Sequence, residues 1–407
     1  MDIETKIKNN KQYVIYSVFL FVVACRLVSI FFMPDVYKDE AVILSYFNAF
    51  ISGENISNNI NNLFFPVGAG LTTYTYFYPM LSILSIMGVG VFKARIIQQV
   101  LTIFACLFLS LAIKIWANDN KKLFWIVLFV SLTIPWGFVQ ANRIWDPSFV
   151  PLFFSIYFLF FSLLMKKENL SDFKKYFYSV ISFSFLVFLA IVYPPCRISA
   201  VLIWVISLFW GLKTKRINYF HSIVIIIVSS LLSIPLAYNL LFNPYFNARS
   251  AKLLIFNGNR FMDALYLFVM NFLSLINPIF LFFGGDVNYR HSLPIFGIIG
   301  TISIIPLLSL VIKRNLKDYS ICIFSFFIII VSFISTALTK TNMPHSLRAC
   351  LCWMPFSILI SYGWYSFLKG KSFKSELITY IAMLAFFVIY FIGYIVIFKY
   401  CLFEWVA

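Results

Sequence analysis

Residues 13–33 read YVIYSVFLFVVACRLVSIFFM, an apolar run that carries one charged side chain, Arg26. A helix needs about 20 such residues to cross the hydrocarbon core of a bilayer, so this stretch is long enough to span it. The run at 222–242, SIVIIIVSSLLSIPLAYNLLF, has the same character. Hydrophobic residues make up 62% of the 407-residue chain and charged residues 12%, whereas soluble domains carry about 25% charged residues. The sequence therefore predicts an all-α, polytopic membrane protein and excludes an ordinary soluble enzyme.

Lysine and arginine occur in short blocks between the apolar runs, as at Lys121-Lys122 and Lys174-Lys175. Cytoplasmic loops of membrane proteins carry an excess of these residues. The net charge of +17 is therefore an orientation signal and does not indicate nucleic acid as a partner. With the blocks inside, about eleven spans of roughly 20 residues result, and the N-terminus is cytoplasmic. The predicted spans are 12–33, 95–114, 123–141, 149–165, 177–194, 197–212, 220–242, 294–312, 319–338, 349–368 and 376–398.

Two long segments, 34–94 and 243–293, remain on the predicted outer side of the membrane. Both contain semi-apolar stretches, which we expect to form helices that lie along the interface. The whole chain, 1–407, is predicted to form one integral membrane catalytic domain. The chain ends soon after the last predicted span, so we expect recognition of an acceptor to fall to the outer segments and the membrane cavity.

Polar residues outside the lysine-rich blocks gather on the predicted outer side. The chain has only 15 acidic residues, yet Asp39 and Glu40 stand side by side just after the first span. Ionisable groups near a membrane are costly and usually face a functional cavity. We therefore predict that Asp39 and Glu40 are catalytic. The predicted substrate-binding residues, at the outer ends of later spans, are Arg143, Asp146, Arg197, Asp286, Arg290, His291, His345 and Arg348.

This set of residue types suits phosphate-ester chemistry. A carboxylate can act as general base toward a hydroxyl, and arginine forms bidentate contacts with phosphate. The adjacent carboxylates could also share a divalent metal, so the cofactor stays open. Several of these residues also have a purely structural interpretation. Asp146 could be a helix N-cap, Arg143 its ion-pair partner, Arg197 the cap of a turn, and His345 an interfacial histidine.

Three segments resemble the C-type superfamily of membrane glycosyltransferases, in particular the group of protein O-mannosyltransferases and lipid A aminoarabinose transferases. These segments are Asp39-Glu40-Ala41 followed by Gly53, FFGGDVNYRHSLP at 282–294, and PHSLRACLCWMPF at 344–356. The resemblance implies a C-type fold and inverting transfer of a sugar from a polyprenyl-phosphate donor at the outer face of the membrane. It implies Asp39 as the base that deprotonates the acceptor hydroxyl, with Glu40 as its neighbour. The candidates it implies for the donor phosphate are Arg290, His291, His345 and Arg348. Some members of the superfamily use a divalent metal and others do not.

We therefore predict a glycosyltransferase of a bacterial inner membrane, with its active site extracytoplasmic. Its general character resembles the small glucosyltransferases that decorate O-antigen, which favours a hexose as the sugar and a surface glycan or glycolipid, of O-antigen or lipid A type, as the acceptor. A flippase or transporter of lipid-linked oligosaccharide is one alternative, but transporters place ionisable groups near the bilayer midplane, where only Arg26 is predicted to lie. A polymerase is the other alternative, although polymerases tend to carry a large, Arg-rich later outer loop.

Overall fold

A computed structural model describes residues 3–33, 36–54, 63–67, 70–243, 246, 251–286, 288, 291–293, 295–312, 319–340 and 342–400. In these residues the chain is mostly helical, and the sheet is a two-stranded hairpin. Long apolar helices dominate the fold. The predicted class, an all-α polytopic membrane protein, is confirmed.

Up to Lys166, the described residues form seven α-helices and the hairpin. Helix α1 (Ile3–Val28) continues into a 3₁₀ turn at Ser29–Phe32. The next elements are α2 (Lys38–Ser52), β1 (Phe64–Val67), β2 (Gly70–Thr73) and α3 (Tyr74–Met87). They are followed by α4 (Val91–Trp116), α5 (Lys121–Thr133), α6 (Pro135–Gln140), a 3₁₀ turn at Asp146–Phe149 and α7 (Val150–Lys166).

The part of the chain after Lys166 is also helical where it is described. It begins with α8 (Asp172–Val192), α9 (Cys196–Lys213), α10 (Tyr219–Phe242) and α11 (Phe261–Leu275). A π-helical turn (Ile279–Phe283) and a 3₁₀ turn (Thr301–Ser303) precede α12 (Ile304–Ile312). The last elements are α13 (Tyr319–Ala337), a 3₁₀ turn at Cys350–Cys352, α14 (Trp353–Leu368) and α15 (Phe373–Tyr400).

Nine helices among the described residues are long and apolar enough to cross a membrane, so the predicted count of eleven is not confirmed. The predicted span 123–141 is broken between α5 and α6, where Ile134 is extended. A proline disfavours the helical conformation of the residue before it, and Pro135 directly follows Ile134. In the predicted span 294–312, Gly297 and Gly300 have φ of 63° and 78°. That conformation is incompatible with a helix, and helical structure begins only at Thr301.

The direction of the helices separates two ends of the bundle. Lys114 lies in the last turn of α4 and Lys166 in the last turn of α7, while α5 begins at Lys121. The other end of α4 carries Arg95, which forms an ion pair with Glu40. The acidic doublet therefore lies at the end of the bundle opposite the lysine-rich ends of α4, α5 and α7.

Aromatic side chains fill much of the interior between α4, α7, α9 and α13. Trp116 stacks on Phe158 and Phe161, with ring centroids 5.9 and 6.4 Å apart, and meets Trp210 edge-on at 5.4 Å. Aromatic pairs of this kind contribute about 0.5–1.5 kcal/mol each beyond the area that they bury. This packing fixes the long helices from which the polar end of the bundle is built.

Short helix α6 is held against α14 by close packing at a glycine. A Cβ atom on Gly137 would lie 1.8 Å from the ring of Trp353, so only glycine fits there. The backbone N–H of Trp136 donates to the carbonyl of Ile298 at 2.8 Å, and the Tyr390 hydroxyl donates to the carbonyl of Pro135 at 3.1 Å. These contacts fix the start of the polar segment 140–149.

Candidate active site

The two predicted catalytic acids lie in different environments. Both are in the first turn of α2, where the helix dipole favours negative charge. Glu40 is 1% exposed, and its carboxylate accepts hydrogen bonds from Arg95, at 2.8 Å from Nη2 and 3.4 Å from Nε. Arg143 Nη1 lies 3.8 Å from the same carboxylate. Asp39, in contrast, is partly exposed.

Glu40 also accepts two backbone hydrogen bonds. One comes from the N–H of Tyr37 at 3.0 Å and closes a capping box at the start of α2. The other comes from the N–H of Ile144 at 2.9 Å. Glu40 therefore ties the start of α2 to the segment between α6 and α7. Since neighbouring residues on a helix point about 100° apart, the buried position of Glu40 turns Asp39 toward the partly exposed side.

The Asp146 carboxylate binds the β1–β2 hairpin. The sequence did not predict this hairpin. The strands pair antiparallel, with Phe64 opposite Thr73 and Val67 opposite Gly70. The Thr72 hydroxyl and the Thr73 N–H donate to the two oxygens of Asp146, the second at 3.1 Å. Asp146 is 6% exposed and is the first residue of its 3₁₀ turn, whose N-cap position is Trp145. These contacts are therefore not those of a helix N-cap, and they connect two distant parts of the chain.

A second cluster forms around Asp286, which is buried with His291 and His345. Asp286 Oδ2 lies 3.2 Å from His291 Nδ1 and 3.7 Å from His345 Nδ1. The same oxygen accepts hydrogen bonds from the N–H and hydroxyl of Ser346, at 2.7 and 3.0 Å. Burial raises the pKa of the Asp286 carboxyl. The hydrogen bond with His291 and the nearby charges of both histidines lower it by more, so its pKa lies below its usual value. The two predicted motifs around 286 and 345 are thus brought together.

The segment 143–146 connects these groups, because consecutive residues in it reach different neighbours. Arg143 and the Ile144 N–H face Glu40. The Trp145 ring lies 6.0 Å from the His291 ring, centroid to centroid, and Asp146 holds the hairpin. The acidic doublet, the hairpin and the histidine cluster are therefore neighbours at one end of the bundle.

The remaining predicted binding residues lie outside these contacts. Arg197 is the second residue of α9, and its guanidinium lies 5.1 Å from the centre of the Phe246 ring. The Arg348 guanidinium donates to the Thr339 hydroxyl at 2.8 Å. Arg290 lies outside the described residues. These contacts of Arg197 and Arg348 do not involve the acidic doublet, and the binding roles of both residues stay predictions.

Several polar residues at this site were not predicted from the sequence. Arg95 is the first example, because lysine and arginine near a span end usually indicate headgroup contact. A buried network below the site contains Arg26, Gln99 and Asn142. Arg26 donates to Gln99 at 3.1 Å, and Gln99 donates to Asn142 at 2.5 Å. Asn142 also donates to the Tyr394 hydroxyl at 2.9 Å. The available signal was Gln99, an amide side chain inside the predicted span 95–114, where polar groups are costly.

Comparison with known proteins supports the fold. No family profile matches the sequence, and no curated protein matches it. Among solved structures, the chain is similar to ArnT from Cupriavidus metallidurans bound to undecaprenyl phosphate. The TM-score is 0.57 at 13% identity, over 92% of this chain and 64% of ArnT. It is also similar to the Archaeoglobus fulgidus oligosaccharyltransferase tethered to an acceptor peptide, with a TM-score of 0.51 at 12% identity, over 96% of this chain and 56% of that protein.

Both of these proteins are membrane glycosyltransferases of the C-type superfamily. The chain spans less than two thirds of the length of either one. At this identity the likeness concerns the fold, and the predicted C-type architecture is confirmed.

Proposed function

We propose that this protein is a glycosyltransferase that moves a sugar from a polyprenyl-phosphate donor to a surface glycan or glycolipid. The fold supports this, because its neighbours are C-type glycosyltransferases and one of them was solved with undecaprenyl phosphate. The observation that carries the proposal is the position of a partly exposed acid, Asp39, directly beside Glu40, which faces two buried arginines at the end of the bundle opposite the lysine-rich ends of α4 and α7.

In the proposed reaction Asp39 is the general base. It accepts the proton of the acceptor hydroxyl while the hydroxyl oxygen attacks the anomeric carbon and the bond to the donor phosphate breaks, which inverts the configuration. Glu40 is a positioning residue in this scheme, because its oxygens already face Arg95 and the Ile144 N–H. Holding reactants and base in line supplies much of the rate enhancement of such reactions.

The leaving group is a phosphate monoester whose developing charge needs cationic partners. Arg143 is the best-placed candidate, since it lies in the segment that joins the acidic doublet to the histidine cluster. Arg290 and Arg348 remain candidates from the sequence. The histidines are weaker candidates for direct contact with phosphate, because a carboxylate oxygen of Asp286 faces both imidazoles and repels an anion.

We further propose that the site faces the outer side of a bacterial inner membrane and that the N-terminus is cytoplasmic. The lysine-rich ends of the helices support this orientation through the positive-inside rule. A donor with a long isoprenoid tail is reached from within the bilayer, which fits the nine long apolar helices of the described residues. An O-antigen or lipid A type acceptor and a hexose as the transferred sugar are the finer parts of the proposal.

The test is a transfer assay on membranes that contain the protein, supplied with a radiolabelled polyprenyl-phosphate sugar and host glycolipid. We expect labelled acceptor with the unmodified protein and none with Asp39→Asn. The control is Asp172→Asn, the same change in the first turn of α8 at the lysine-rich end, and it should keep full activity. Equal transfer by Asp39→Asn and the control would overturn the catalytic assignment. Movement of the labelled lipid across the membrane without transfer would favour a flippase.

A further inference from the structure

The cluster of Asp286, His291 and His345 has a composition that the proposed transfer does not require. Its potential ligand atoms, one carboxylate oxygen and one nitrogen from each imidazole, all lie within 4.8 Å of one another. All three residues are at most 8% exposed. Two come from the segment after the π-helical turn and one from the segment before α14, so the cluster joins two distant parts of the chain.

The spacing of these atoms matches a metal-binding polyhedron. A zinc ion binds nitrogen and oxygen ligands at about 2.0–2.2 Å, which places neighbouring ligand atoms of a tetrahedron about 3.4 Å apart. The distances from Asp286 Oδ2 to His291 Nδ1 and His345 Nδ1 are 3.2 and 3.7 Å. The two imidazole rings are stacked, with centroids 4.5 Å apart and planes 21° from parallel, so both present Nδ1 to the same oxygen.

Surrounding groups hold the carboxylate in place. The Ser346 N–H and hydroxyl bind Oδ2, and the Asn288 N–H binds Oδ1 at 2.9 Å. The N–H of Asp286 itself donates to the Ser292 hydroxyl at 2.6 Å. A Cβ atom on Gly285, whose φ is 70°, would lie 2.5 Å from that hydroxyl. Metal ligands are usually oriented by such outer hydrogen bonds.

The charge of the cluster favours a cation. The carboxylate is negative, and each imidazole offers a lone pair once metal binding displaces its proton, so a divalent ion meets three donors, whereas a phosphate meets a carboxylate at the centre of the cluster. Imidazole nitrogen favours zinc-class transition metals, while magnesium and calcium prefer oxygen ligands. We propose that Asp286, His291 and His345 bind one divalent transition-metal ion of the zinc class and thereby join Asp286 and His291 to the start of segment 345–352. This inference does not depend on the proposed transfer activity.

Full-length protein, purified in detergent through an affinity tag without histidine, tests this directly. The protein is stripped with a chelator, loaded with Zn²⁺ alone, desalted and analysed for zinc per chain. We expect one ion per chain, no binding of Mg²⁺, and loss of zinc in His291→Ala and in His345→Ala. The chain has three histidines, so His221→Ala is the matched control. His221 lies in the first turn of α10, and its variant should bind zinc as the unmodified protein does.

A graded variant tests the supporting hydrogen bonds. Ser346→Ala removes one donor to Asp286 and keeps all three ligands, so zinc affinity should fall by about tenfold. No zinc in the loaded unmodified protein, or full zinc in both His291→Ala and His345→Ala, would overturn the proposal.

The absorption spectrum of the Co²⁺-loaded unmodified protein decides the question if the histidine variants do not fold. Tetrahedral Co²⁺ with nitrogen and oxygen ligands gives strong visible bands, which we expect. The spectrum of hydrated octahedral Co²⁺ would contradict the site. A thiolate-to-cobalt band would assign the metal to buried cysteines such as Cys350 and Cys352 and would also contradict it.

Discussion

Replacing Glu40 by Gln removes the negative charge that faces two buried arginines, and we expect it to destabilise the protein strongly. Glu40 and Arg95 are 1% and 5% exposed in their side chains, and Arg143 is 1% exposed. Removing one partner of a buried ion pair costs about 3–5 kcal/mol, because the remaining charge has no counter-charge. The glutamine can still accept the Ile144 N–H, so the loss reflects charge more than hydrogen bonding.

This free energy converts into a measurable shift of the melting midpoint. Unfolding entropy is about 2.1 cal/mol/K per residue, which for 407 residues gives roughly 0.85 kcal/mol/K. Glu40→Gln should therefore lower the midpoint by about 4–6 °C. Thermal unfolding of the detergent-solubilised protein can be followed with a thiol-reactive fluorescent dye, because six free cysteines of the described residues are buried and react only on unfolding.

An exposed ion pair of similar length provides the control. Lys175 lies 3.1 Å from Asp172, which is 81% exposed in its side chain, and such surface pairs contribute about 0–1 kcal/mol. Asp172→Asn also removes an acid from the first turn of a helix, so it shares the dipole effect with Glu40→Gln. We expect a shift of at most about 1 °C for it. A Glu40→Gln midpoint equal to that of Asp172→Asn would refute the buried ion pair.

Two further changes test how the site is assembled. Asp146→Ala leaves the buried Thr73 N–H without its acceptor, which costs about 1–3 kcal/mol. Because the hairpin then detaches, we expect transfer activity to fall. Normal activity with a normal melting midpoint would contradict this role of Asp146. Gly137→Ala forces a Cβ into the Trp353 ring and should cost at least about 1–3 kcal/mol, seen as a lower midpoint in the thiol-dye assay. Gly90→Ala, where the nearest atom would lie 4.0 Å away, is the control, and equal midpoints for both glycine variants would contradict the close packing of α6 on α14.

The sequence predicts the long helices well, because a run of about 20 apolar residues has few alternatives to a membrane span. The grouping of Asp39, Glu40, Arg143 and Asp286 at one end of the bundle is also predictable. The lysine-rich blocks indicate which helix ends are cytoplasmic, and they do so independently of these four residues. Local backbone breaks are harder to predict. The span 123–141 is largely apolar, and Pro135 alone does not distinguish a kinked helix from the two short helices that are found.

Contacts between distant segments could not be predicted. The hairpin consists of four-residue strands with a proline at 66, and its anchor, Asp146, lies 73 residues beyond Thr73. The different environments of Asp39 and Glu40 also depend on tertiary contacts. Helical geometry requires the two to point in different directions, but only the positions of Arg95 and Ile144 decide which acid is buried.

The central claim is that this chain adds a sugar to a surface glycan through Asp39. Mass spectrometry of the surface glycan tests it most directly, in host cells that lack the chain, cells that express it and cells that express Asp39→Asn at the same membrane level. The account predicts a glycan heavier by one sugar residue only in cells with the unmodified protein. Identical glycan masses in all three, or the added sugar in cells with Asp39→Asn, would contradict it.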